Sequence, residues 1–204
     1  MYMFGKFSGY TKMELPKSFK ILTFFDSLWY FTSYLLAPMM AIFINKFGSL
    51  EDVGVSYAII SISSALASLF SDEIVGKYNL GKTILIVNFL SAIRILFYTK
   101  VGSLWDIFIL QFIGGVLSAI EYPASRTLMT IIADKKVSNK HLTEQYGAYN
   151  FYVSLTSALG AIISGYIVTA HGYNFLFIVF AVSHIIYGTG IYFTMREANI
   201  MLEQ

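Results

Sequence analysis

Four ionisable residues stand inside runs that are otherwise apolar: Asp26, Arg94, Glu121 and Arg126. A charge in hydrocarbon is costly and is kept where it pairs, meets water or binds a solute. Counted from the nearer lysine-bearing ends, Asp26 and Arg126 lie about seven residues in, roughly 10 Å deep at the helical rise. Arg94 and Glu121 lie about twelve residues in, roughly 18 Å. The four therefore sort into two depth-matched pairs of opposite sign. Paired, they would staple helices together, each partner lowering the other's desolvation cost. Left loose, the carboxylate of Asp26 could take a proton or a cationic group, and Arg126 an anionic one. Both readings stand at this point.

The neighbours of these charges favour a wet interior on two segments. Gln111, Gly115, Ser118, Tyr122 and Arg126 recur at spacings of three and four, which is one face of a helix. Asp26, Tyr30, Ser33 and Ala37 do the same. Two further stripes, Tyr57-Ser61-Ser64-Ser68-Asp72 and Asn150-Ser154-Ser157-Ala161-Ser164, are rich in serine and read as small positions that let helices pack closely.

Other chemistry is poorly supplied. The chain has no cysteine, which excludes disulfides, thiolate metal sites and cysteine nucleophiles, and its three histidines are scattered, so no metal or cofactor is expected. There is no Walker loop. The net charge of +2 is too small for a nucleic-acid partner. Ser164-Gly165 and His184 invite comparison with an intramembrane serine hydrolase. However, Ile162 stands where that motif needs glycine, and the two side chains differ in depth by roughly 7 Å. The chain is not expected to be an enzyme.

The elements that must carry these residues are membrane helices. Hydrophobic residues make up 56% of the 204 and charged residues 13%, about half the share of a soluble domain. Crossing the hydrocarbon takes about 20 apolar residues, which predicts an all-α bundle of six spans at 19–44, 53–70, 83–99, 104–133, 146–170 and 175–195. The fourth is interrupted by Glu121, Pro123 and Arg126 and is expected to kink. Lysines fall in alternate gaps: Lys6, Lys12, Lys17 and Lys20 before the first span, Lys77 and Lys82 in the second gap, and Lys135, Lys136 and Lys140 in the fourth. Arg196 follows the last span, whereas the other gaps hold only Lys46 and Lys100 beside Glu51, Asp52 and Asp106. The positive-inside rule then places the tails, 1–18 and 196–204, in the cytoplasm of a cell-membrane protein.

From the fourth span onward the chain resembles the major facilitator superfamily. The residues that carry this are Gln111-Phe-Ile-Gly-Gly, Tyr122-Pro123-Ala124, Ala133-Asp134, Tyr146-Gly147-Ala148-Tyr149, Ala158 to Gly165, and Gly172-Tyr173 with Phe177. The loop between spans two and three, with Asp72, Glu73, Gly76, Lys77, Gly81 and Lys82, resembles the family's acidic, glycine and basic gating loop. Tyr78 stands where that loop usually has aspartate, and Leu110 or Gln111 where proton-coupled members carry an arginine. Gly160-Ala161 and Ser164-Gly165 replace the Gly-Pro and Gly-Gly pairs of antiporters, so the pattern does not favour antiport.

The resemblance implies a transporter of a small solute by alternating access, with Asp26, Tyr30, Gln111, Tyr122 and Arg126 lining its central cavity. The coupling ion, a proton among the options, is left open. The family fold has twelve helices in two parallel halves, and six spans make one half. A solitary half would turn its cavity face to lipid, so a homodimer, or a separately encoded second half, is expected. The rival reading is a non-transport membrane scaffold, an assembly factor or a remnant half, in which the charges are staples.

Overall fold

The computed structural model describes residues 17–71, 73, 75, 79–134 and 139–197. The described residues form helices joined by short turns, without a strand: α1 (Lys17–Ile44), α2 (Leu50–Ser68), α3 (Leu80–Phe97), a 3-10 turn (Tyr98–Lys100), α4 (Leu104–Asp134) and α5 (Asn139–Glu197). By length and composition these include five helices apolar enough to cross a membrane. Most of both expected tails, and Asp72, Gly76, Lys77 and Tyr78 of the expected gating loop, lie outside the described residues.

The sequence sets the helix starts locally. Ser49 caps α2 in a reciprocal box: Asp52 N–H donates to Ser49 Oγ (3.4 Å) and Ser49 N–H to Asp52 Oδ2 (2.8 Å). Ser103 and Asp106 repeat the box at α4, with bonds of 2.8 and 3.3 Å. Asn79 caps α3 by accepting from the Gly81 and Lys82 amides at 3.0 and 3.3 Å. Two members of the expected gating loop, Gly81 and Lys82, thus form the first turn of α3. Glu73 is exposed.

α5 is not one rod. Its 59 residues would reach about 90 Å if straight, far beyond a hydrocarbon core of about 30 Å. At Gly172 the backbone leaves the helix with φ 78° and ψ 174°, a region open essentially to glycine alone. Tyr149 and Val153 from before this point pack in one core cluster with Tyr187, Ile191 and Met195 from after it. The chain therefore doubles back at Gly172, and α5 is a hairpin with a first arm (139–171) and a second arm (173–197).

Two apolar clusters hold the bundle. One gathers Phe19 and Leu22 of α1, Leu80 and Ile84 of α3, Leu128 of α4 and the hairpin residues just named. The other, at the opposite ends of the helices, gathers Leu35, Phe43, Ile95, Tyr98, Ile107 and Phe177. Between them lies a polar layer. Thr32 Oγ1 donates to Ser183 Oγ at 2.8 Å, joining α1 to the second arm. Asn88 of α3 meets His184 at 2.6 Å. Asn88 Nδ2 also donates to the Ile84 carbonyl (2.9 Å), which can only accept, so Oδ1 faces the ring and His184 Nδ1 must carry the proton.

α2 departs from its sequence reading. It packs chiefly on α4 and buries only Ser56 and Ser63; Tyr57, Ser61 and Ser68 face outward. The outward hydroxyls are satisfied within the helix: Ser61 Oγ donates to the Tyr57 carbonyl (2.9 Å) and Ser68 Oγ to that of Ala65 (2.7 Å). Close packing on α4 runs instead through Gly115, where any side chain would meet Ser63 and the Ile60 carbonyl.

Candidate functional site

A cavity of about 200 Å³ opens between α1, α4 and the hairpin. Its charged lining is Asp26, Glu121 and Arg126; its aromatic lining is Trp29, Tyr30, Tyr122, Tyr149 and Tyr187. Tyr30, Arg126 and Tyr149 also border a shallower groove of about 420 Å³, whose far wall is the Asn150-Ser154-Ser157-Ala161 face of the first arm. The two spaces are therefore contiguous.

Helical periodicity aligns the side chains. Asp26, Trp29 and Tyr30 follow at three and four residues on α1, and Ser118, Glu121, Tyr122, Ser125 and Arg126 on α4. Pro123 sits within α4 and, having no N–H, leaves the Ala119 carbonyl one turn earlier without its helical donor. Asp26 is 8% exposed, and its Oδ2 accepts from the Tyr149 hydroxyl at 2.8 Å. Tyr187 Oη lies 3.5 Å from Ser125 Oγ and also bears on Asp26. Arg126 rests its guanidinium 5.0 Å from the centre of the Tyr122 ring, and Tyr122 is 63% exposed at the mouth.

Of the five residues expected to line a cavity, the structure brings together Asp26, Tyr30, Tyr122 and Arg126. Gln111 is buried elsewhere. It shares their helical face, but fifteen residues of α4 separate it from Arg126, about 22 Å, and that stretch of α4 is covered by α2 at Gly115. The expected partners Arg94 and Glu121 lie within electrostatic reach of one another, yet no ion pair joins them among the described residues. Arg94 Nη1 donates to the Leu110 carbonyl (3.2 Å) and lies so close over Gly114 that a side chain there would collide with it. Glu121 turns into the cavity beside Asn88, so its company is Asp26 as much as Arg94. Asp26 and Arg126 likewise share the cavity without an ion pair.

Sequence reasoning missed Trp29, Tyr149 and Tyr187. Tyr149 carried a signal, since it ends the Tyr146-Gly147-Ala148-Tyr149 motif and lies one residue before the Asn150 stripe; the other two read as ordinary aromatic filler. The hydrolase comparison finds no support in the geometry. Ser164 Oγ donates to the Ala161 carbonyl (2.7 Å), not to His184, whose ring packs against Trp29 and Phe180.

Comparison with known proteins agrees with a membrane carrier. The sequence pattern of the Major Facilitator Superfamily matches residues 23–200. The "Uncharacterized MFS-type transporter YitZ" of Bacillus subtilis (strain 168) is 22% identical over 139 residues, covering 68% of this chain and 82% of the relative. That relative is therefore itself shorter than this chain. No solved structure matches. The match begins in α1 and runs past the end of the hairpin, so it takes in every helix that builds the cavity; the chain is a multi-pass membrane protein belonging to the Major Facilitator Superfamily.

Proposed function

We propose that this chain is a secondary transporter of a small solute that works by alternating access, as a dimer of six-helix halves. The two arms of α5 supply two crossings, giving six in all, and the lysine pattern puts both termini in the cytoplasm. Asp26, Tyr30, Tyr122 and Arg126 bind the solute, with Glu121 and Tyr149 beside them. The observation that carries this reading is the cavity itself, where opposite charges face one space without bonding each other. Staples would have closed on one another. A groove of about 420 Å³ left open on the face of α1, α4 and the first arm fits a second half packed there, a homodimer being the simplest. The connection between α2 and α3, with Asp72, Glu73 and Lys77, and the first turn of α3, with Gly81 and Lys82, then gate the cytoplasmic end, and a proton bound at Asp26 is compatible with this arrangement.

The test is uptake into proteoliposomes from a mixture of small metabolites. Asp26→Asn and Arg126→Ala should each abolish uptake while far-UV circular dichroism and elution volume stay those of the parent. Unchanged transport in both variants would reject the reading.

A further inference from the structure

We infer that the cavity is selective for a small monovalent organic cation, an ammonium compound held over aromatic faces and neutralised by two carboxylates. This deepens the transport reading and rests on it for the fate of the ligand, while the binding site stands on its own geometry.

The charge of the lining is uneven. Among the described residues it carries two carboxylates, Asp26 and Glu121, against one guanidinium, Arg126, and no lysine. Arg126 reaches Asp26 only from the mouth, where its guanidinium lies 5.0 Å from the centre of the exposed Tyr122 ring, and Arg94, within electrostatic reach of Glu121, stands outside the lining and is tied to the Leu110 carbonyl. Asp26 is held in place by Tyr149, so its charge is presented from a fixed position.

The walls suit the same ligand. Trp29 stands edge-on to Tyr30 at 5.1 Å and tilted to Tyr187 at 6.1 Å, a corner of rings beside both carboxylates. An ammonium group draws on the negative faces of such rings, and a desolvated site strengthens the attraction. Arg126 on Tyr122 is this interaction already made within the chain. The part that holds both carboxylates and the ring corner, about 200 Å³, falls below the range of roughly 300–1,000 Å³ typical of drug-sized pockets, so the cationic group it takes is small. An anion would have to enter past Arg126 only to meet two carboxylates.

Two tryptophans make a direct test possible, because Trp105 lies far along α4 and is exposed. In the Trp105→Phe chain, purified in detergent micelles free of other protein and excited at the red edge of tryptophan absorption, emission comes from Trp29 alone. The probes are tetramethylammonium, choline and tyramine, with dimethylbutanol as the uncharged analogue of choline and benzoate as the anion. At least one of the three cations should shift Trp29 emission with a Kd below about 10 mM, and dimethylbutanol and benzoate should not. Asp26→Asn and Glu121→Gln should each weaken the cation at least about tenfold, while Glu51→Gln, at the far end of α2, leaves it unchanged. Equal response to choline and dimethylbutanol, tighter binding of benzoate, or no response to any of the three cations overturns the inference, and the choline comparison needs no cavity variant to fold. Uptake of another solute class without cation binding would sink this inference and leave the transport reading standing. Cation binding without uptake in proteoliposomes would do the reverse.

Discussion

The bond between Asn88 and His184 allows a prediction worked from its geometry. His184 is 3% exposed and Asn88 fully buried, in the polar layer between two apolar clusters. Asn88→Ala removes the acceptor of the His184 Nδ1 proton and strands that donor in the buried layer, and it also takes a hydrogen-bond partner from Glu121, a loss that His184→Phe does not restore. A buried donor left unmet costs about 1–3 kcal/mol in soluble proteins. Interhelical hydrogen bonds in membranes average about 0.6 and reach about 1.7 kcal/mol, because the dispersed helices find other partners. The close fit here, with Gly188 so near that a Cβ would lie 2.9 Å from that of Asn88, leaves little room to re-form the bond, so the upper part of the membrane range applies: a loss of about 1–1.7 kcal/mol. Reversible unfolding in mixed micelles, titrated with a denaturing detergent and followed by circular dichroism, measures it. Adding His184→Phe to Asn88→Ala deletes the stranded donor and should recover at least about half of the loss. Costs that simply add in the double variant, or an Asn88→Ala chain within about 0.3 kcal/mol of the parent, would refute the reasoning.

Three further outcomes follow from the backbone and from α2. Gly172→Ala forces a Cβ into a conformation with φ 78° and should cost about 1–3 kcal/mol by the same unfolding measurement. Gly160→Val drives a side chain into the Phe31 carbonyl of α1 and should cost about 1–3 kcal/mol by overpacking, seen as a lowered melting temperature in detergent. Ser61→Ala should stay within about 0.5 kcal/mol of the parent, because its hydroxyl serves only its own helix; a large loss would mean that the outward stripe of α2 is a seam after all.

The fold class was legible because apolar runs long enough to span hydrocarbon have few other uses. The cavity was legible only along single helices. Periodicity put Asp26 with Tyr30, and Tyr122 with Arg126, on common faces, and the shared ends of α1 and α4 then brought these faces together. It also put Gln111 on the α4 face, since spacing cannot show that α2 closes over that end. Depth alone matched Glu121 with Arg94. Depth is one coordinate, and the rotation of α4 that turns Glu121 toward Asp26 and the aromatic corner is another. Tyr149 and Tyr187 reach the cavity from the two arms of a hairpin whose reversal depends on the backbone at Gly172, a contact that no local pattern contains.

The charges on the open face bear on the proposed pairing of halves. Arg126 and Tyr122 are exposed, on a helix long and apolar enough to cross hydrocarbon, and an arginine costs up to about 2.5–3.5 kcal/mol at the bilayer centre on insertion scales, less at the depth of roughly 10 Å expected for Arg126. Snorkelling toward the nearer surface would lower that cost but would pull the guanidinium off Tyr122 and empty the cavity mouth. A second half packed over the groove removes the lipid instead, and keeps Arg126 in a polar space where a solute can use it. The saving is largest for Arg126 and smaller for the serine face of the first arm, so the contact should centre on α1, α4 and that arm, not on α2. Cysteine pairs introduced at Asn150 or Ser154, both exposed on the first arm, should crosslink two chains in native membranes more readily than a pair at Ser61 on α2. Crosslinking that gives monomer alone at every position, or dimer only through α2, would refute this placement.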